Sequence, residues 1–85
     1  MARVTSVRHL RDYVLELTFS DGLRAQIDFR DRIVGRGGVF KALEDPSFFG
    51  QVRIEPDFGT LVWPNDVDFC PETLHTEAQS AAATI

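Results

Sequence analysis

The alternation of apolar and polar residues on either side of Ser20-Asp21-Gly22 constrains this chain more than any other feature. Before the turn, Tyr13, Leu15, Leu17 and Phe19 point one way, and Val14, Glu16 and Thr18 the other. After it, Leu23, Ala25, Ile27 and Phe29 are apolar, while Arg24, Gln26, Asp28 and Arg30 are polar. Period two on both sides of a turn signal predicts a hairpin. Cross-strand neighbours share a face, so odd-numbered apolar residues must pair with odd-numbered ones. A two-residue Asp-Gly loop sets Phe19 opposite Arg24 and breaks that match. A three-residue loop, with Gly22 left-handed beside a bulge, gives Phe19/Leu23, Leu17/Ala25, Leu15/Ile27 and Tyr13/Phe29.

The same parity argument reaches a second hairpin. Val52 and Ile54 are even-numbered, whereas Leu61 and Trp63 are odd, so the loop between them holds an even number of residues. Pro56-Asp57-Phe58-Gly59 supplies them, pairing Glu55/Thr60, Ile54/Leu61, Arg53/Val62 and Val52/Trp63. Upstream, Arg3 to Leu10 reads as a first strand, bulged because Val4, Val7 and Leu10 break strict alternation, with Leu10-Arg11-Asp12 as its turn. Arg30 to Gln51 reads as the cover of the sheet. Gly35-Arg36-Gly37-Gly38 interrupts it, Val39 to Leu43 has the spacing of a helical turn, and Ser47-Phe48-Phe49 starts another after Asp45-Pro46. Phe40, Phe48 and Phe49 are the expected aromatic plug. Pro64 stops the last strand, and Phe69 to Ala78 reads as a helix, with Pro71 at its first position and Phe69 stapled onto Leu74.

The expectation is an α+β domain over residues 1–78. It has one small antiparallel sheet of about five strands, a three-stranded meander plus a hairpin, with short helical turns over one face and a C-terminal helix. Residues 79–85 are expected to fray. At 85 residues and 44% hydrophobic, the chain holds one marginal core. No apolar run suits a membrane helix, and Met1 to Arg11 lacks the hydrophobic block of a signal peptide, so a cytoplasmic location is expected. The single cysteine excludes an internal disulfide framework and Cys-pair zinc sites.

Charge divides the chain. Residues 1–43 carry eight basic groups against five acids, and residues 44–85 carry Arg53 against eight acids, so the overall charge is −4. That total disfavours nucleic acid as a partner. If the halves segregate in space, the molecule has a basic face suited to a charged protein; if their strands interleave, the charges mix on one surface. Arg24, Arg30 and Arg36 are the candidate partner-binding residues. Against them stands the reading of a solvated sheet face and a plain glycine turn.

A second candidate region is the loop Trp63, Asn65, Asp66 and Asp68, with Cys70 at a helix start that can lower a thiol pKa. Polar groups converging beside an aromatic residue suit a small ligand or a reaction. Cys70 and His75 are five apart and do not share a helix face well. The loop offers too few oxygens for a calcium site, and the Gly35–Gly38 cluster matches neither phosphate-loop pattern. No cofactor or metal is implied, and Asp68 is expected to serve backbone donors at the helix start.

These residues also carry a family resemblance. Tyr13 through Gly22, Ile27-Asp28-Phe29, Gly37-Gly38-Val39-Phe40 with Leu43, Phe49 and Val52 all belong to it. So does Gly59-Thr60-Leu61-Val62-Trp63-Pro64-Asn65 followed by Asp68, Pro71 and Leu74. The pattern resembles a family of small bacterial proteins catalogued as domain of unknown function number two-four-four-two, over about Val4 to His75. Asp66 departs from a usual glycine, and His75 from a common tyrosine. The resemblance implies an α+β fold and no catalytic residues. Some relatives look like N-terminal domains of helix-turn-helix regulators, and others sit beside small toxin-like proteins, which implies by analogy a regulatory or antitoxin-like binding module.

The leading expectation is therefore a protein–protein interaction module without catalytic activity. Its partner would be a protein, such as the product of an adjacent gene, with homo-oligomerisation through sheet edges as a further route. The alternative is a ligand-binding protein or enzyme built on the Trp63–Asp68 loop and Cys70.

Overall fold

The computed structural model describes residues 2–83 and contains the first hairpin in the register that parity dictates. Strands β2 (Val14–Phe19) and β3 (Arg24–Asp28) pair Leu15 with Ile27 and Leu17 with Ala25. The Phe19 N–H donates to the Leu23 carbonyl at 2.8 Å, and the Gly22 N–H returns to the Phe19 carbonyl at 2.9 Å. Gly22 lies at φ +89°, the left-handed position that a three-residue loop requires. Before them, β1 (Val4–Arg11) pairs antiparallel with β2 through two irregularities, at Val4/Ser6 and His9/Arg11. Each shift absorbs one break in the alternation. The strand consequently runs through Arg11, which faces Val14, and the turn is Asp12-Tyr13 rather than Leu10-Arg11-Asp12.

The second hairpin also follows parity. In β4 (Arg53–Glu55) and β5 (Thr60–Val62), Glu55 faces Thr60, Ile54 faces Leu61 and Arg53 faces Val62. A single five-stranded sheet does not form. The described residues hold six strands in two three-stranded antiparallel sheets, ordered β1-β2-β3 and β4-β5-β6, within the α+β class that was expected. The sixth strand, β6 (Asp68–Phe69), arises because Pro64-Asn65-Asp66 reverses the chain and returns Phe69 to face Leu61. The sheets meet where the Val4 N–H donates to the Gly59 carbonyl at 3.0 Å. The Arg3 guanidinium fastens the same seam by donating to the carbonyls of Asp57 and Pro56, at 2.7 and 2.6 Å.

Between the sheets run α1 (Arg30–Ile33), two 3-10 turns at Gly38–Phe40 and Ala42–Glu44, and α2 (Pro46–Phe49). The Asp45 carboxylate caps α2 by accepting from the Ser47 N–H, with Pro46 in the first turn. Helix α3 (Pro71–Ala83) closes the chain against β3 and buries Leu74 and Ala78. The expected tail is helical as far as Ala83, and residues 84 and 85 lie outside the described residues.

The core confirms the aromatic plug in part. Phe49 is fully buried, whereas Phe40 and Phe48 are only partly buried against the core. Phe49, Phe29, Trp63 and Phe69 form a ring cluster with centroids 5.3 to 6.4 Å apart, the spacing at which edge and tilted contacts are favourable. Phe69 enters this cluster from β6. The Trp63 indole N–H donates to the Phe49 carbonyl at 2.8 Å, satisfying a donor that burial would otherwise penalise.

Candidate functional site

In the Trp63–Cys70 region, the Trp63 and Asn65 side chains and the Asp66 backbone hold the fold. Trp63 has no exposed surface and its one polar atom is spent on Phe49. The loop that follows repeats the geometry of the first hairpin turn. The Trp63 N–H donates to the Val67 carbonyl and the Asp66 N–H to the Trp63 carbonyl, both at 2.9 Å, just as Phe19, Leu23 and Gly22 do. Asn65 occupies the place of Asp21: each side-chain oxygen accepts the N–H two residues on, at 3.4 Å from Val67 and 3.0 Å from Leu23. Asp66 occupies the place of Gly22, at φ +69°. The Asn65 amide also donates to the Val39 carbonyl at 3.0 Å, pinning the covering segment to this turn.

Asp68 is exposed in β6, opposite Val62. The cap of α3 is Cys70 rather than Asp68. The N–H groups of Thr73 and then Glu72 reach the Cys70 sulfur and hold its thiol below the ordinary value of 9.0. Cys70 is exposed, so the thiol is open to reagents.

The three arginines do not form one cluster. Arg24 is exposed on β3 opposite Thr18 and borders a hollow of about 320 Å³ with Glu16, Gln26 and Ala81. Arg30 lies over the Tyr13 ring, its guanidinium carbon 5.0 Å from the centroid. Arg36 donates to the Asp31 carbonyl from Nε and Nη2, at 3.1 and 3.0 Å. Among the described residues, none of the three has a carboxylate partner; the one ion pair of this segment joins Arg32 to Glu77 of α3.

A larger hollow, about 580 Å³, opens between the first hairpin turn and α3, lined by Ala2, Ser20, Asp21, Glu72, His75 and Thr76. Within it the His75 Nε2 lies 2.7 Å from the Asp21 carboxylate, and the His75 ring meets Phe19 edge-on at 5.0 Å. The Leu23 N–H and then His75 hold Asp21 below its ordinary value of 3.8. This pairing spans 54 residues and left no local trace in the sequence. The described residues contain no group of three His, Cys, Asp or Glu side chains placed to hold a metal ion.

Fold and surface together define a small α+β module. It has two three-stranded sheets around an aromatic core, and its basic groups lie outside. It belongs to the family described as Protein of unknown function (DUF2442), whose model matches residues 4–80. No curated protein and no solved structure matches the chain. Among the described residues, no helix is long and apolar enough to cross a membrane.

Proposed function

We propose that this chain is a cytoplasmic protein–protein interaction module of regulatory, antitoxin-like kind, which acts by binding and performs no reaction of its own. One observation carries the reading. Trp63, Asn65 and Asp66 are committed to building the fold, while Arg24, Arg30 and Arg36 stand at the surface without a described carboxylate partner. Unpaired surface arginines are suited to acidic partners, because a planar guanidinium binds carboxylates bidentately at small desolvation cost. The test is co-expression with the product of the adjacent gene, followed by size exclusion. A complex that persists through the column, and that Arg36→Glu weakens, supports the reading. Separate elution of the two proteins, with the chain monomeric at high concentration, overturns it.

The second reading places a ligand or reaction at the Trp63–Asp68 loop and Cys70, and the lowered Cys70 thiol favours it. Its test is a thermal-shift screen of small molecules against the chain before and after Cys70 is blocked with iodoacetamide. A stabilising ligand that alkylation displaces would support this reading, and no such ligand would overturn it.

A further inference from the structure

Val34 to Val39 is the longest unbroken run of exposed residues among those described, and its surroundings give it a specific chemistry. Three large hydrophobic side chains are exposed in the described chain, and two of them, Val34 at 42% and Val39 at 59%, bracket this run. A methyl group placed on Gly35, Gly37 or Gly38 would meet nothing within 4 Å, so the loop stands clear of the body. It is nevertheless held in shape at both ends. The Gly35 N–H donates to the Glu44 carboxylate at 3.2 Å, and the Val39 carbonyl accepts from Asn65. A loop fixed before binding loses less conformational freedom when a partner arrives.

Its charge is opposite to that of the rest of the molecule. Residues 30–41 carry Arg30, Arg32, Arg36 and Lys41 against Asp31, a net +3, which leaves −7 on the remaining chain to make the total of −4. Arg32 is taken by Glu77, while Arg30, Arg36 and Lys41 have no described carboxylate partner. We propose that the loop Val34–Val39, with Lys41 beside it, docks an acidic segment of a partner protein whose apolar side chains cover the two valines. The inference rests on the interaction-module reading and names the chemistry of its partner.

Opposite charge selects the partner's sign and speeds its approach, and burial of the valines supplies affinity that salt does not screen. Nucleic acid fits less well, because Asp31 and Glu44 belong to the frame of the loop and no exposed aromatic ring lies within it. A second copy offers Phe58 beside Asp57, but Arg3 sits on the carbonyls of Pro56 and Asp57 and brings a guanidinium to the same place.

The experiment is an NMR titration of the isotope-labelled full chain with a short synthetic peptide alternating Glu and Leu, and with its Lys-Leu counterpart. The Glu-Leu peptide should shift resonances of residues 34–41 and Asn65. Its affinity should fall by about tenfold or more in V34S/V39S and in R36E, and stay unchanged in R53E on the exposed face of β4. The spectra themselves report that each variant is folded, and Lys41→Glu serves as a second charge reversal. Shifts centred elsewhere, no binding, or equal binding of the Lys-Leu peptide would overturn the proposal. So would a dimer in light scattering that V34S/V39S dissolves, since a second copy would then be the occupant. If the peptide fails while the adjacent gene product still copurifies, the surface is misassigned and the module reading stands. If both fail, the module reading fails as well.

Discussion

Replacing Gly59 with alanine should be far more damaging than replacing Gly22, although both are positive-φ turn glycines, φ +67° and +89°. A left-handed alanine costs about 1 kcal/mol at either position. Each variant recovers roughly 0.4–1 kcal/mol from a less free unfolded chain. These contributions cancel in the comparison, so the difference isolates what the new methyl meets. At Gly22 it meets nothing within 4 Å; at Gly59 it lands 2.7 Å from Arg3 Cβ and 2.9 Å from Arg3 Cα and the Val4 nitrogen. That backbone cannot retreat cheaply. The Val4 N–H is bonded to the Gly59 carbonyl, the Arg3 carbonyl accepts from Ser20 at 2.9 Å, and the Arg3 guanidinium holds the same turn. Overpacking of this kind costs about 1–3 kcal/mol. For a domain of this size that corresponds to a melting temperature about 5–20 °C lower than that of Gly22→Ala. Thermal unfolding of both variants by circular dichroism, checked in urea at constant m, measures it. If the two melt within about 2 °C of each other, the seam between the sheets is not held at Gly59, and the two-sheet account is wrong.

Other outcomes are as definite. Asp66→Gly should raise stability by about 0.5 kcal/mol, because relief of the left-handed aspartate exceeds the added freedom of the unfolded chain; chemical denaturation reads it. Asp21→Asn should destabilise at neutral pH, with the loss disappearing in acid. The Asp21 carboxyl is lowered by the Leu23 N–H and by His75, so its contribution is present above about 3.8 and vanishes as pH falls through the folded value; urea midpoints at pH 7 and near pH 2 compare the two regimes. Cys70 should be alkylated by iodoacetamide with a rate–pH midpoint below 9.0, because the Thr73 and Glu72 N–H groups stabilise the thiolate. A midpoint at or above that value would mean the sulfur does not cap α3.

The strands were legible wherever one face is buried, since period two then admits one register and loop length must agree with residue parity. Leu17 opposite Ala25 and Ile54 opposite Leu61 are direct consequences. Parity carries no information between hairpins, which is why one sheet was expected and two occur. The way the two meet depends on a Val4–Gly59 contact between residues far apart in sequence. In β1, two irregularities reset the count twice and moved the turn to Asp12-Tyr13. Helix α1 has Ile33 as its one buried residue, too little to register as a periodic pattern.

For the site, residue type was a poorer guide than backbone geometry. Asn65, Asp66 and Asp68 resemble a ligand loop in sequence, yet Pro64-Asn65-Asp66 matches Ser20-Asp21-Gly22 bond for bond, and the Asn65 amide and the positive-φ Asp66 backbone are turn chemistry. The first loop was legible as a turn because glycine marked its left-handed residue; in the second, aspartate fills that place and hides it. Conversely, Val34 and Val39 drew no attention as surface, because an apolar residue beside Ile33 or Phe40 reads as core until the chain is seen to leave the body at Gly35. The same three glycines that argued only for an interruption of regular structure therefore do something more specific. They lift an arginine and two valines off an acidic globule, and a polar loop without that lift would have had its apolar residues drawn under the aromatic cover beside Phe40.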